Sequence, residues 1–154
     1  MTVRPAQTDA DVERCFPVLV QLRPSLDPTT FLADVRRQEA AGYRLALLEE
    51  GGEVRAVAGY RVLEMLSRGR FLYVDDLVTD TAHRSRGAGG VLFDWLMTEA
   101  RAHDCQRIDL DSGVQREAAH RFYLRKKMWI VGLHLTVPVQ NGAAPPTAAE
   151  RPSA

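Results

Sequence analysis

The sequence predicts an α/β fold of the α+β-like mixed type, in which an antiparallel meander leads into a parallel strand. Three strand-like segments at 43–49, 53–64 and 71–79 follow one another across short turns, as antiparallel neighbours do. A helix-like segment then separates the third of them from a strand at 107–111, and such a crossover joins parallel strands. The predicted order is β-α-α-β-β-β-α-β-α-β, with a gap where the strand direction changes.

The composition is that of one ordinary globular domain. The chain has 154 residues, of which 45% are hydrophobic and 26% charged. We predict a single domain over 1–137. From Pro138 onward Pro, Ala, Gly and polar residues dominate, so 138–154 is predicted to be a disordered tail.

Charge and cysteine usage argue against several function classes. The net charge is zero, so bulk electrostatics favour neither nucleic acid nor a membrane surface as a partner. No apolar run approaches the roughly 18 residues of a membrane span. Cys15 and Cys105 stand alone and the histidines are scattered, so no metal-ligand spacing occurs. We therefore expect a soluble cytoplasmic protein without a metal site.

The N-terminal half begins with a short strand at 2–6. Thr8 or Asp9 can cap a helix that starts near Ala10, because their side-chain oxygens accept from free helix N–H groups. A second helix follows a proline-containing turn and ends at Gly42. Gly59, inside the second strand of the meander, suggests a β-bulge.

The C-terminal half alternates helices and strands. Apolar residues recur at helical spacing over 91–103 and again over 115–127. The strand at 107–111 lies between these two helices. The run at 129–137, from Trp129 to Val137, is predicted to be the last strand.

A glycine-rich turn with two arginines joins the third strand of the meander to the helix at 91–103. It reads Arg84, Ser85, Arg86, Gly87, Ala88, Gly89, Gly90. Glycines allow close backbone approach, a helix N-terminus favours anions, and guanidinium groups bind phosphate. The turn lacks the Walker pattern, and Leu92 stands where the dinucleotide fingerprint needs glycine. The pattern therefore favours a phosphate site of another kind.

With this turn and this element order, the chain resembles the GNAT superfamily of N-acetyltransferases over about 2–137. The superfamily motif [RQ]-x-x-G-x-[GA] is matched by residues 84–89. The resemblance implies acetyl-CoA as the acyl-donor substrate, with its pyrophosphate held by the N–H groups of residues 84–90. It also implies that the edge of the third meander strand at Leu77, Val78 and Thr79 pairs with the pantetheine arm, beside a splayed strand pair.

Two side chains are the main catalytic candidates. The resemblance implies that Tyr123 donates a proton to the departing CoA sulfur, although it could also be a core aromatic. Two adjacent acids, Asp75 and Asp76, stand in an otherwise apolar strand, where they are costly unless solvated or paired. The resemblance implies Asp75 as the base. Either acid could instead pair with an arginine such as Arg61, and a water chain could carry the proton.

The sequence leaves the acceptor and the assembly open. The leading hypothesis is an enzyme, an acetyl-CoA-dependent N-acetyltransferase whose amine acceptor, a small molecule or a protein amine, attacks directly in a ternary complex. The alternatives are a CoA-binding regulatory module without turnover and a transferase for longer acyl groups. Dimerisation is common in the superfamily, and the last strand is the surface that we expect a homodimer to use.

Overall fold

The computed structural model describes residues 1–84 and 86–140. The chain divides into two compact units, residues 1–110 and residues 111–154. The predicted tail lies outside the described residues from residue 141 onward. The prediction of one domain over 1–137 stays a prediction.

The first unit is built on a five-stranded mixed sheet. Its strands are β1 (Thr2–Pro5), β2 (Arg44–Glu50), β3 (Glu53–Met65), β4 (Gly69–Thr79) and β5 (Ile108–Leu110), in the order β1-β2-β3-β4-β5. The first four strands are antiparallel neighbours, and β5 runs parallel to β4. The predicted meander and its parallel continuation are therefore confirmed, and the mixed α/β fold class with them.

The described residues contain four α-helices. In the first unit these are α1 (Asp9–Leu19), α2 (Phe31–Ala40) and α3 (Ala88–Ala102), and in the second unit there is α4 (Glu117–Arg125). Thr8 caps α1 through a capping box, because its side chain accepts from the Asp11 amide while Asp11 accepts from the Thr8 amide. Of the two predicted caps, Thr8 is thus the one used. A 3₁₀ turn, Thr81–His83, leads from β4 towards α3.

The sheet of the first unit carries a hydrophobic cluster on each face. Alternate residues of β2 divide between them, with Leu47 in the α1 and α2 cluster and Leu48 in the α3 cluster. Val12 and Cys15 of α1 are fully buried in the first cluster, and Leu92 and Leu96 of α3 in the second. Both faces of the strands are covered, so the sheet holds the end of β4 and the start of α3 in fixed positions.

A β-bulge interrupts the pairing of β3 with β4, as Gly59 predicted. Gly59 pairs with Asp76 and Tyr60 pairs with Val74, so Asp75 is the extra residue on β4. A Cβ on Gly59 would lie 2.1 Å from the Tyr43 hydroxyl oxygen, which explains why glycine is needed there. Strict alternation along β4 is broken at this point.

The expected last strand is not formed. Residues 129–137 adopt no regular secondary structure, and their large hydrophobic side chains are exposed. The alternation of the sequence is local information, whereas a strand also needs a neighbour to pair with. No helix among the described residues is both long enough and apolar enough to cross a membrane.

Candidate active site

The C-terminal part of β4 has one open edge within the first unit. Leu77, Val78 and Thr79 pair with β3 on one side. On the other side β5 pairs only with residues 72–74, so no described strand of this unit continues along 77–79. The pairing of β4 with β5 thus ends at Val74, before β4 reaches the turn. An open edge of this kind offers main-chain N–H and C=O groups to an extended ligand.

The glycine-rich turn ends at the N-terminus of α3. Gly87 is the N-cap residue and has a left-handed backbone, with φ of 86°. Among the described residues no side chain caps α3, and no acidic residue stands in its first turn. Arg84 and Arg86 are exposed beside it, while Ser85 lies outside the described residues. The helix dipole and two guanidinium groups therefore act together on this surface.

A polar network holds the start of this turn against Gln21, just after α1, and against Arg55 of β3. Asp80 accepts from the Gln21 side-chain amide at 3.1 Å and is bonded to the His83 ring at 2.8 Å. The Gln21 side-chain oxygen Oε1 accepts from the Thr81 amide at 2.9 Å, and Arg55 Nη1 lies 3.3 Å from Nδ1 of the His83 ring. These hydrogen bonds hold the pKa of the Asp80 carboxyl below its usual value, with that from Gln21 the largest cause.

Sequence reasoning missed this network. His83, one of the scattered histidines, is half-buried in the structure. The bond between Gln21 and Asp80 joins residues far apart in the chain, and no short motif announces such a pair. The one available signal was Asp80 at the end of a strand, a position where carboxylates often bond to following N–H groups.

Asp75 combines an ion pair with an unsatisfied oxygen. One carboxylate oxygen accepts from Arg61 Nε at 2.7 Å. The other oxygen is buried without a hydrogen-bond partner among the described residues. Burial raises the pKa of this carboxyl, and the Arg61 guanidinium partly opposes that shift. A buried acceptor in this state can still accept one further hydrogen bond.

Asp76 is more fully engaged than Asp75. One of its oxygens accepts from Arg23 Nε at 2.8 Å, and the other accepts from the Tyr43 hydroxyl at 3.2 Å. The expected pairing of an acid with Arg61 therefore occurs at Asp75, while Asp76 pairs with Arg23. Because both oxygens of Asp76 already hold donors, Asp75 is the better placed of the two acids to take a proton.

Tyr123 lies on α4 in the second unit. It is half-buried, and its ring packs edge-on against Phe122 with 5.3 Å between centroids. Burial raises the pKa of its hydroxyl, and Arg116 counteracts this shift. Both readings of Tyr123, a proton donor and a core aromatic, fit these facts, so its role stays a prediction.

Neither cysteine has the setting of a reactive nucleophile. Cys15 is fully buried, and burial raises the pKa of its thiol to about 12. Burial also raises the pKa of the Cys105 thiol. Since thiolates are the reactive form, these environments argue against an acyl-cysteine intermediate.

Comparison with known proteins identifies the family. The acetyltransferase (GNAT) family model matches residues 8–128. An uncharacterized N-acetyltransferase of Bacillus subtilis, YhdJ, is 35% identical over 124 residues, which cover 78% of this chain and 85% of that protein.

Solved structures share the fold. The ribosomal-protein-alanine N-acetyltransferase of Brucella melitensis superposes with a TM-score of 0.77 at 14% identity, over 90% of this chain and 99% of its own. AAC(6')-Iy, in complex with the bisubstrate analog CoA-S-monomethyl-acetylneamine, gives a TM-score of 0.79 at 12% identity, over 91% and 98% of the chains. Identities this low establish the fold alone. The family match and the Bacillus relative establish the family: the chain is an acetyltransferase that belongs to the GNAT family.

Proposed function

We propose that this acetyltransferase moves the acetyl group of acetyl-CoA onto a primary amine by direct attack in a ternary complex. One observation carries the proposal. The open edge of β4 at Leu77–Thr79 leads, through residues 80–83, into an arginine- and glycine-rich turn at the N-terminus of α3. An extended pantetheine arm and a diphosphate, joined as they are in CoA, require these two features side by side.

The turn suits a diphosphate in both shape and charge. A Cβ built on Gly87 meets no atom within 4 Å, so there is space beside the backbone for a ligand. In our proposal the N–H groups of residues 84–90 face the phosphate oxygens, including Ser85, Ala88, Gly89 and Gly90. Arg84 and Arg86 add positive charge from the exposed side. AAC(6')-Iy, which shares the fold and is in complex with a CoA-containing analog, supports CoA as a ligand that this fold can hold.

Acetyl-CoA would supply an activated thioester, and the chain's own residues would manage the protons. The amine nitrogen attacks the carbonyl carbon, the new N–C bond forms, and the C–S bond breaks. The ammonium form must first lose one proton, which Asp75 accepts on its unpartnered oxygen, directly or through water. The departing sulfur takes one proton, for which Tyr123 is the proposed donor. The nitrogen loses its second proton as the amide forms, and this proton restores the Tyr123 hydroxyl directly or through water.

The raised pKa of Asp75 suits the role of a base better than an ordinary carboxyl would. A carboxylate with a low pKa holds a proton too weakly to remove one from an ammonium group. Burial of Asp75 shifts its pKa in the useful direction, while Arg61 keeps the group oriented. Arg61 itself is held by the Gln38 side-chain oxygen at 2.7 Å.

Thiol release from acetyl-CoA tests the proposal. The full-length protein is incubated with acetyl-CoA and a panel of small amines and lysine peptides, and free CoA is measured with a thiol reagent. Release that depends on an amine, together with a mass increase of one acetyl group on that amine, is the expected result.

Two other results would point to the alternatives. Binding of acetyl-CoA without release for any amine would favour a regulatory module that holds CoA. Faster release from longer acyl thioesters than from acetyl-CoA would favour a transferase for larger acyl groups. In the Tyr123→Phe variant, full turnover would remove Tyr123 from the mechanism, since phenylalanine has no proton to donate.

A further inference from the structure

Two arginines bind the adjacent acids of β4. Arg61 of β3 pairs with Asp75 at 2.7 Å, and Arg23, in the segment between α1 and α2, pairs with Asp76 at 2.8 Å. Arg23 Nη2 also donates to the main-chain oxygen of Asp75 at 3.0 Å. The four side chains, called here the charge cluster, therefore meet around Asp75.

The guanidinium group of Arg23 is only partly used by these contacts. An arginine side chain has five N–H donors, and the two hydrogen bonds of Arg23 use Nε and one hydrogen of Nη2. Among the described residues Nη1 donates to no acceptor, and the side chain is 52% exposed. One donor on Nη1 and one on Nη2 thus remain on the outer edge, in the planar arrangement that binds a carboxylate with two parallel hydrogen bonds.

The contacts of Arg23 hold this outer edge in place. A long exposed side chain loses rotamer freedom when it binds a ligand, and this loss weakens binding. Arg23 is already fixed at two nitrogens by β4, and Asp76 in turn accepts from the hydroxyl of the buried Tyr43 at 3.2 Å. Much of that cost is therefore met by folding, before any ligand arrives.

Asp75 supplies the second half of the site. Its side-chain oxygen without a hydrogen-bond partner among the described residues can accept from an ammonium group. Arg23 contacts the main chain of this same aspartate, whose side chain spans only a few bonds, so the two binding positions lie close together. A ligand that reaches both must carry its amino group and its carboxylate a few bonds apart, as a free amino acid does.

The charge balance around the site also favours such a ligand. The charge cluster contains two cations and two anions, so it attracts no excess of positive charge. The acids of α2 add none, because Asp34 pairs with Arg37 and Glu39 pairs with Arg36, each at 2.7 Å. A polyamine would bring further ammonium groups against the two guanidinium groups of the cluster, and like charges in contact are costly. A zwitterion brings one charge of each sign.

We propose that the amine acceptor is a small free amino acid, whose carboxylate binds the outer edge of Arg23 while its amino group lies at Asp75. This inference rests on the proposed acetyl transfer and names the substrate class of that same site. The bonds made and broken are those of the acetyl transfer, and the carboxylate takes no part in them. Arg23 is thereby a specificity residue of the site.

Acceptor kinetics with acetyl-CoA test the proposal in the wild type, in Arg23→Ala and in the control Arg37→Ala. The acceptors are free amino acids, the matching carboxamides and spermidine. The wild type is expected to acetylate an amino acid with a higher kcat/KM than its carboxamide or spermidine. In Arg23→Ala the ratio of kcat/KM for acid and carboxamide should fall about 10-fold, mainly through the KM of the acid, because a charge-assisted pair at a half-exposed site is lost.

Comparing this ratio between variants removes the difference in amine pKa between an acid and its carboxamide. Arg37→Ala removes another exposed arginine that pairs with an acid, and it should leave the ratio unchanged. A wild type that prefers spermidine or carboxamides would overturn the amino-acid proposal while acetyl transfer stands. An equal loss for acid and carboxamide in Arg23→Ala would overturn it too, because Arg23 would then only fasten its segment to β4.

Side-chain NMR of the arginines needs neither turnover nor a stable alanine variant. The Arg23 Nε–H resonance is assigned from the Arg23→Lys variant, and amino acids are added to the CoA-bound wild type. A shift with an amino acid and none with its carboxamide would support the site, even in a protein that releases no thiol and so lacks the proposed activity. The absence of a shift with every amino acid would overturn the proposal.

Discussion

Replacing Gly87 with alanine isolates the backbone geometry of the glycine-rich turn. Gly87 has φ of 86° at the N-cap of α3, and an added Cβ meets no atom within 4 Å. The methyl group therefore brings no clash, and its whole cost is that of holding an L-residue in the left-handed region, about 1–2 kcal/mol. We expect the exposed turn to relieve this strain by changing φ in the free protein.

If the turn grips a diphosphate, CoA binding must restore the original backbone, and the strain then appears as lost affinity. A cost of about 1–2 kcal/mol corresponds to binding weakened by about 5- to 30-fold. Gly42→Ala is the matched control, because Gly42 has φ of 95° with no atom within 4 Å of a built Cβ, yet it follows the C-cap residue of α2, Ala41. We expect this control to lose stability and to keep its CoA affinity.

Isothermal titration with CoA and thermal unfolding of both variants separate these outcomes. A ΔΔG of about 1–2 kcal/mol in Gly42→Ala should lower its midpoint by about 2–8 °C. Gly87→Ala should unfold close to the wild type but bind CoA more weakly. Wild-type affinity in Gly87→Ala, or an equal loss of affinity in both variants, would refute the assignment of the diphosphate to this turn.

Three further changes test the site and the fold. Because burial raises the pKa of Asp75 and the base acts when ionised, the rate should rise with pH through a pKa above the ordinary aspartate value. Asp75→Asn should lose this pH-dependent rise and about 10²- to 10⁴-fold in rate. A pH profile that the substitution leaves unchanged would favour a water chain. Asp80→Ala should raise the KM for acetyl-CoA about 10-fold with kcat retained, as expected when one charged hydrogen bond is lost; lower stability at unchanged KM would leave Asp80 a purely structural role. Asp11→Ala should destabilise the fold at pH 7 by about 1–2 kcal/mol in urea titrations, through loss of the helix cap and of a partly exposed ion pair with Arg4. The Arg4 hydrogen bond is the main reason that the pKa of Asp11 is lowered, so this stabilisation is present above the unfolded pKa near 4 and is lost as pH falls further. If the free energy of unfolding of the variant differed from that of the wild type by the same amount at pH 3 and at pH 7, this account would be contradicted.

Local signals in the sequence were enough for most of the first unit. The capping box at Thr8 and Asp11 is encoded within four residues, and the β2–β3 hairpin turns at two glycines with positive φ. The turn before α3 was also readable, because glycine at an αL position and a helix start are neighbours in the chain. In each case the determinants of the structure lie within a few residues of one another.

The bulge limited how well the sequence predicts which face of the sheet each β4 side chain lies on. Strict alternation would place Leu72, Val74 and Val78 on one face and Leu77 on the other. In the structure Leu77 packs with the cluster that contains Leu72 and Val74, and Val78 lies in the opposite cluster. The bulge at Gly59 was predicted, but its effect on β4 was not, because the extra residue could have fallen on either strand.

The segment at 129–137 shows a different limit of sequence reasoning. Its alternating pattern predicts a strand, yet a strand requires a partner, and periodicity carries no information about which chain provides it. The polar network around Asp80 shows the same limit for side chains. Gln21 and Asp80 are brought together only by the packing of α1 beside the end of β4.

The central claim is that main-chain amides at the start of α3 hold the diphosphate of CoA. An amide NMR titration of the isotopically labelled protein with CoA, and in parallel with pantetheine, which has no diphosphate, tests this claim most directly. We predict that CoA shifts the amide resonances of residues 84–90 more than any others, and that pantetheine leaves these resonances in place. Binding of CoA that leaves the amides of 84–90 unshifted would contradict the claim.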